Sequence, residues 1–205
     1  MFFAKTPAFL PFLMPGYTWR ISTSDKTLFL TFDDGPIPEL TPWVLEILRK
    51  YNAKATFFCV GDNVRKYPAV FQQILSEGHA VGNHTFNHLN GWKTSTAEYL
   101  QNIEKCESLL SSKLFRPPYG RMKTEQKKAL ENKYRIIMWD ILSGDFSKKI
   151  SQEHCLQNVL KHTRPGSIIV FHDSLKAERN LRFVLPRVLE HFGALGYGFE
   201  VMRDE

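Results

Sequence analysis

Cysteine is scarce and scattered. Cys59, Cys106 and Cys155 make up the whole complement, and none sits in a C-x-x-C pair. An odd, dispersed set excludes a disulfide framework and a Cys-ligated zinc site, and it predicts reduced, buried thiols. Internal repeats, low-complexity stretches and linkers are also missing, so 205 residues read as one domain. No segment is long and apolar enough to span a bilayer. The apolar start of the chain is interrupted by Pro7, Pro11 and Pro15 and lacks a small-residue cleavage site. Residues 1–26 are therefore expected to form an arm packed on a domain of residues 27–205, rather than a signal peptide. On that reading the chain works in the cytoplasm, with the cell envelope as the alternative. Dense Lys/Arg tracts with interleaved aromatics are absent too. The net charge of +6 is spread along the chain, which argues against nucleic acid and leaves a mild attraction to anionic polymers.

What is present is a large apolar core. Hydrophobic residues make up 43% of the chain and phenylalanine alone occurs 16 times. Apolar β-prone runs at 27–32, 55–60, 79–81, 114–115, 134–139, 167–171 and 197–202 read as seven strands. Between them, helix-period segments lie at 41–51, 63–77, 95–110, 124–132, 152–162 and 181–192. Thr41 is placed to cap the first of these, with Pro42 at its first turn. Tyr67-Pro68 interrupts the start of the second. Strand–helix alternation of this kind implies a parallel sheet with helices outside, and seven strands suit either an open doubly wound sheet or a barrel.

Polar residues gather just beyond the strand ends. TFDDG (31–35) follows the first strand, NHTFNH (83–88) the third, and RPPYG (116–120) the fourth. WDILSGDF (139–146) follows the fifth and FHDS (171–174) the sixth. In parallel α/β folds the carboxyl ends of strands share one mouth, so these stretches should converge. Asp33-Asp34 places two carboxylates side by side at the end of an apolar strand, where a cation would relieve their repulsion. His84 and His88 are spaced i, i+4, which on a helical turn aims two imidazoles at one ion. Two His and one carboxylate leave metal positions open for water and substrate. Arg116 could pin a carboxylate through its planar fork. His172, beside Asp173, is a candidate general acid, with Asp145 as the partner that raises its pKa and fixes its tautomer.

Taken in order, these stretches resemble the polysaccharide deacetylase family, also called carbohydrate esterase family 4 or the nodulation-B homology domain. TFDDG matches its first motif, His84–His88 its H-S/T-x-x-H motif, and 116–120 its R-x-P-Y/F-G motif. Residues 139–146 and 168–173 are similar to the fourth and fifth. The resemblance implies a distorted (β/α) barrel of about seven parallel strands in a single domain. It implies that Asp34, His84 and His88 ligate a divalent metal, commonly Zn2+, with Co2+, Ni2+ or Mn2+ as substitutes. By the same likeness Asp33 is the general base, Arg116 orients and charges it, His172 is the general acid and Asp145 tunes His172. Tyr119 would hold the oxyanion through its backbone N–H, and Trp139 and Phe146 would line the acetyl pocket. Two positions depart from the pattern. Phe146 stands where the family has Trp, and Leu142 where it has Asp.

The expected activity is metal-dependent removal of acetyl groups from an N-acetylated glycan of the chitin or peptidoglycan kind, releasing acetate. An O-acetyl (xylan-type) esterase or a small-amide hydrolase would use the same parts. An iron(II) oxygenase shares the 2-His-1-carboxylate triad but has no need of Asp33 and His172 as a base and acid.

Overall fold

The computed structural model describes residues 3–203; of the expected arm, residues 1 and 2 lie outside the described residues. The chain runs through β1 (Tyr17–Thr18), β2 (Thr27–Asp33), β3 (Ala55–Cys59), β4 (Ala80–Asn83), β5 (Leu114–Phe115), β6 (Arg135–Ile137), β7 (Ile141–Leu142), β8 (Ile168–His172) and β9 (Gly198–Phe199). Among the described residues the strands pair in parallel in the order β1-β6-β5-β4-β3-β2-β8-β7, and β9 adds to the start of β2. The described residues also form eight α-helices: α1 (Leu10–Leu13) before the first strand, then α2 (Thr41–Lys50), α3 (Gly61–Lys66), α4 (Pro68–Ser76), α5 (Thr96–Glu107), α6 (Thr124–Leu130), α7 (Gln152–Leu160) and α8 (Glu178–Ala194). The result is an open, half-barrel parallel sheet with helices around it, the distorted (β/α) barrel that the resemblance implied.

All seven expected strands form. The two additional ones, β1 and β7, are each two residues long, too short to leave a periodic pattern. The stretch expected as one helix over 63–77 is two helices, α3 and α4. Pro68, which has no N–H to offer, starts the second. Thr41 does not cap α2. It is the first helical residue, and its hydroxyl accepts from the Ile37 N–H (2.8 Å) and donates to Asp173 (2.6 Å).

The N-terminal segment contacts both ends of the open sheet. Lys5 bridges to Ile141 in antiparallel fashion, the Thr6 N–H donates to the Asp140 carbonyl (2.8 Å), and β1 extends β6. Strand edges that would otherwise expose unpaired backbone are covered in this way.

Side-chain alternation then decides what faces where. Leu28, Leu30 and Phe32 of β2 pack outward with Phe57, Ile169, Phe171 and the apolar faces of α2 and α8. Phe29, Phe58, Leu114, Ile137 and Ile168 form a separate inner cluster built from strands. By the same parity Thr31 and Asp33 point inward. Asp33 is the register partner of His172 across β2 and β8.

The outer core turns on Phe32, whose ring stacks 5.0 Å from Phe57 and 5.8 Å from Phe171. Truncating Phe32 to alanine should cost about 3–5 kcal/mol of stability. Denaturant unfolding measures this, and a loss below about 1 kcal/mol would mean the stack is not a core element.

Candidate metal centre and acid–base pair

The inward parity of β2 delivers Asp33, and the chain then turns sharply. Asp34 sits at φ 83°, in the left-handed region, which swings its carboxylate to the mouth. Gly35 follows because nothing larger fits: a Cβ there would lie 2.0 Å from Asp173 Oδ2. Asp173 is the prop beneath this loop. One oxygen accepts from the Gly35 N–H (3.1 Å) and the other from the Thr41 hydroxyl (2.6 Å). Burial pushes the Asp173 carboxyl up to about 8, the Thr41 and backbone donors pull it down, and the nearby Asp34 charge adds to the rise.

His84 and His88 converge without a helix. Residues 84–89 form an irregular turn with positive φ at Thr85 (62°) and His88 (55°), which corrects the helical geometry expected from their spacing. Side-chain hydrogen bonds hold the turn. Asn83 accepts from the Thr85 N–H (2.8 Å), and the Thr85 hydroxyl accepts from the Leu89 N–H (3.1 Å). His84 Nδ1 is 2.8 Å from the Arg116 carbonyl oxygen, so that nitrogen is the donor and Nε2 is left as a ligand. His88 Nε2 is 3.2 Å from Asp34 Oδ1 and His84 Nε2 is 3.9 Å from it. One ligand atom from each of Asp34, His84 and His88 lies within 4.8 Å of the others. Burial lowers His84 to about 4, which gives the neutral imidazole a metal requires. For Asp34, burial works upward, but the His88 hydrogen bond and the charges of His172, His84 and His88 outweigh it and hold the carboxyl well below its usual range. The donor set, two imidazole nitrogens and one carboxylate oxygen, fits a divalent ion such as zinc.

Arg116 is fully buried and reaches across the barrel interior. Its Nη1 donates to Asp33 (2.7 Å) and to the Thr31 hydroxyl (2.7 Å), and Nη2 donates to the Met138 carbonyl (2.9 Å). The Phe58 ring lies 4.1 Å from its guanidinium carbon. On the other flank Asp145 holds His172 twice. One oxygen accepts from the His172 backbone N–H (2.7 Å) and the other meets its ring Nδ1 at 2.8 Å, leaving Nε2 as the free ring nitrogen. Asn180 in turn donates to the Asp145 carbonyl (2.9 Å). Burial alone would lower His172. The Asp145 charge and hydrogen bond, helped by Asp34 and Asp33, raise it to about 9.

These groups share one cavity of about 560 Å³. Asp33, Asp34, His84, His88 and His172 all open onto it. Its walls include Tyr119, Trp139, Leu142 and Phe146, so every site residue expected from the sequence is either in the cavity or, for Arg116 and Asp145, directly behind it. Tyr119 adopts φ 61° and its ring meets His88 edge-on at 4.7 Å. The Phe146 ring meets His172 at 5.1 Å. Leu142 brings an apolar side chain to the wall where an acid was expected. Thr31, Thr41 and Asn180 carry no obvious chemistry in the sequence, and their roles at the site follow only from long-range contacts.

His172 yields a pH prediction. Its folded value lies above that of a free imidazole, roughly 6.5, so its pairing with Asp145 stabilises the fold fully below that value. The contribution is lost as pH rises through about 9. Asp145→Asn should lower the imidazole titration of the metal-free protein, followed by NMR. An unchanged titration would contradict the pairing.

The sequence model of the polysaccharide deacetylase family matches residues 20–136. A peptidoglycan-N-acetylglucosamine deacetylase of Bacillus cereus is 41% identical over 152 residues, covering 71% of this chain but only 55% of that protein's own length. A second Bacillus cereus protein of the same name is 35% identical over 198 residues, 92% of each chain. The crystal structure of the Bc1960 peptidoglycan N-acetylglucosamine deacetylase superposes with a TM-score of 0.87 at 33% identity, over 96% of this chain and 95% of that one. Motif order, barrel and near full-length similarity agree: the chain belongs to the polysaccharide deacetylase family.

Proposed function

We propose that this chain hydrolyses the acetamide of N-acetylglucosamine-type residues in a glycan, releasing acetate and a free sugar amine. The observation that carries the reading is the placement of Asp33 and His172. They are register partners on adjacent strands, they open onto one cavity, and the Asp34–His84–His88 cluster opens onto it with them. The names of the relatives above support the substrate class.

A divalent ion held by Asp34, His84 and His88, which we take to be zinc, supplies Lewis acidity to the reaction. Asp33 takes a proton from water as its oxygen attacks the acetamide carbon. Arg116 fixes the Asp33 carboxylate in one orientation, since its own fork is locked by Thr31 and Met138. The Tyr119 backbone N–H is assigned to the developing oxyanion, a role in which one donor contributes roughly 3 kcal/mol. His172 gives its proton to the sugar nitrogen as the C–N bond breaks, because an amine anion does not leave unaided. Trp139, Leu142 and Phe146 give the acetyl methyl an apolar wall.

Asp33→Asn should retain zinc while turnover falls about 10²–10⁴-fold, the usual scale for losing a general base. His84→Ala should lose zinc, read by isothermal titration. The decisive assay is acetate release by the zinc-loaded protein from N-acetylated glycans. Release of acetate only from O-acetylated xylan would replace the amide reading with an esterase one.

A further inference from the structure

The rim of the cavity carries two cations that the hydrolytic chemistry does not use. Arg121 and Lys176 both line it, both are exposed, and neither has a carboxylate partner among the described residues. Each lies against an aromatic face instead. The Arg121 guanidinium carbon is 4.9 Å from the centre of the Trp92 ring, and Lys176 Nζ is 5.6 Å from that of Phe146. The acids nearest to them in sequence are engaged elsewhere. Glu178 pairs with Arg182 at 2.8 Å, Asp173 is buried under Gly35 and Thr41, and Glu125 accepts from the Thr96 hydroxyl.

The two cations flank the chemistry from different sides. Arg121 follows the turn of Tyr119, whose ring meets His88 edge-on, at the ligand cluster. Lys176 stands beside Phe146, whose ring meets His172 edge-on, at the acid. Inside the cavity Asp33 is already matched by Arg116, and Asp34 by the histidine pair and the ion they would share. A neutral N-acetyl sugar presents hydroxyls and an amide and gives these two charges nothing to pair with. A volume of about 560 Å³ leaves room for a substituted sugar ring.

We propose that the substrate is an N-acetylated sugar bearing an anionic group, a carboxylate or a phosphate, which Arg121 and Lys176 hold at the cavity rim. This rests on the deacetylase reading above. Arg121 offers the planar fork that suits either oxyanion, and Lys176 adds a point charge from the opposite flank. Neighbouring aromatic rings restrain both side chains, which reduces the entropy lost on pairing.

The test uses the intact zinc-loaded chain and three probes: N-acetylglucosamine, N-acetylmuramic acid and N-acetylglucosamine 1-phosphate. Binding is measured by titration calorimetry and acetate release in parallel. At least one anionic probe should bind about tenfold more tightly than the neutral one, the scale of a favourable charge pair in a partly desolvated site. The preference should shrink in 0.5 M salt, roughly, and in the Arg121→Gln/Lys176→Gln double variant. Which anionic probe wins separates a carboxylate source from a phosphate source. Equal binding of neutral and charged sugars, or a preference the double variant leaves intact, overturns the proposal. An anionic preference without acetate release from any probe supports the charge assignment and removes the deacetylase reading. Acetate release without preference does the reverse.

Discussion

The buried contact between Arg116 and Asp33 is the constraint from which the site is built. A guanidinium with no exposed surface is costly to desolvate, and burial pulls its pKa down while the Asp33 charge pulls it back up. Three further N–H donors go to Thr31, Ile137 and Met138, and the Phe58 ring covers one face. Breaking such a pair from one side typically costs about 3–5 kcal/mol, because the other charge is left stranded. The pair therefore ties β2 to the chain after β5 and β6. The Arg116 backbone carbonyl at the same place orients His84. One residue thus positions the base and a metal ligand together.

A second constraint mirrors it on the other flank. Asp145 grips both the backbone and the ring of His172, and Asn180 from α8 holds the Asp145 carbonyl. Asp173, immediately after His172, reaches back under the Asp34 turn. The strand pairing of β2 with β8 thereby couples base, acid and first ligand through short contacts. None of these groups depends on a long side chain in solvent.

Much of this was legible in the sequence because the motif residues sit where strand parity must deliver them. Thr31 and Asp33 share a face of β2, and His172 ends β8. The strands that were visible are those with four or more apolar residues or a flanking motif. β1 and β7 were not: like β5 and β9 they are two residues long, but β1 has neither a longer apolar run nor a motif beside it, and β7 lies inside the polar stretch 139–146 that reads as the end of another strand. The turn at His84–His88 departs from its sequence pattern for a different reason. Its i, i+4 spacing is the helical signature, but the convergence comes from positive φ at Thr85 and His88, residues that give no advance sign of it. The supporting roles of Asp173, Thr41 and Asn180 were illegible because the contacts Gly35–Asp173, Thr41–Asp173 and Asn180–Asp145 span 138, 132 and 35 residues, which no local pattern records. Leu142 was visible as a departure, and the structure adds its consequence, an apolar wall in a cavity whose unpaired rim charges are positive.

The account stands on Asp34, His84 and His88 holding a single ion between the base and the acid. X-ray diffraction from zinc-soaked crystals, collected on either side of the zinc absorption edge, tests this directly. It should give one strong anomalous peak about 2.0–2.2 Å from Asp34 Oδ1, His84 Nε2 and His88 Nε2. A peak away from these three atoms, or a cavity that takes up no zinc while they stay in place, would contradict it.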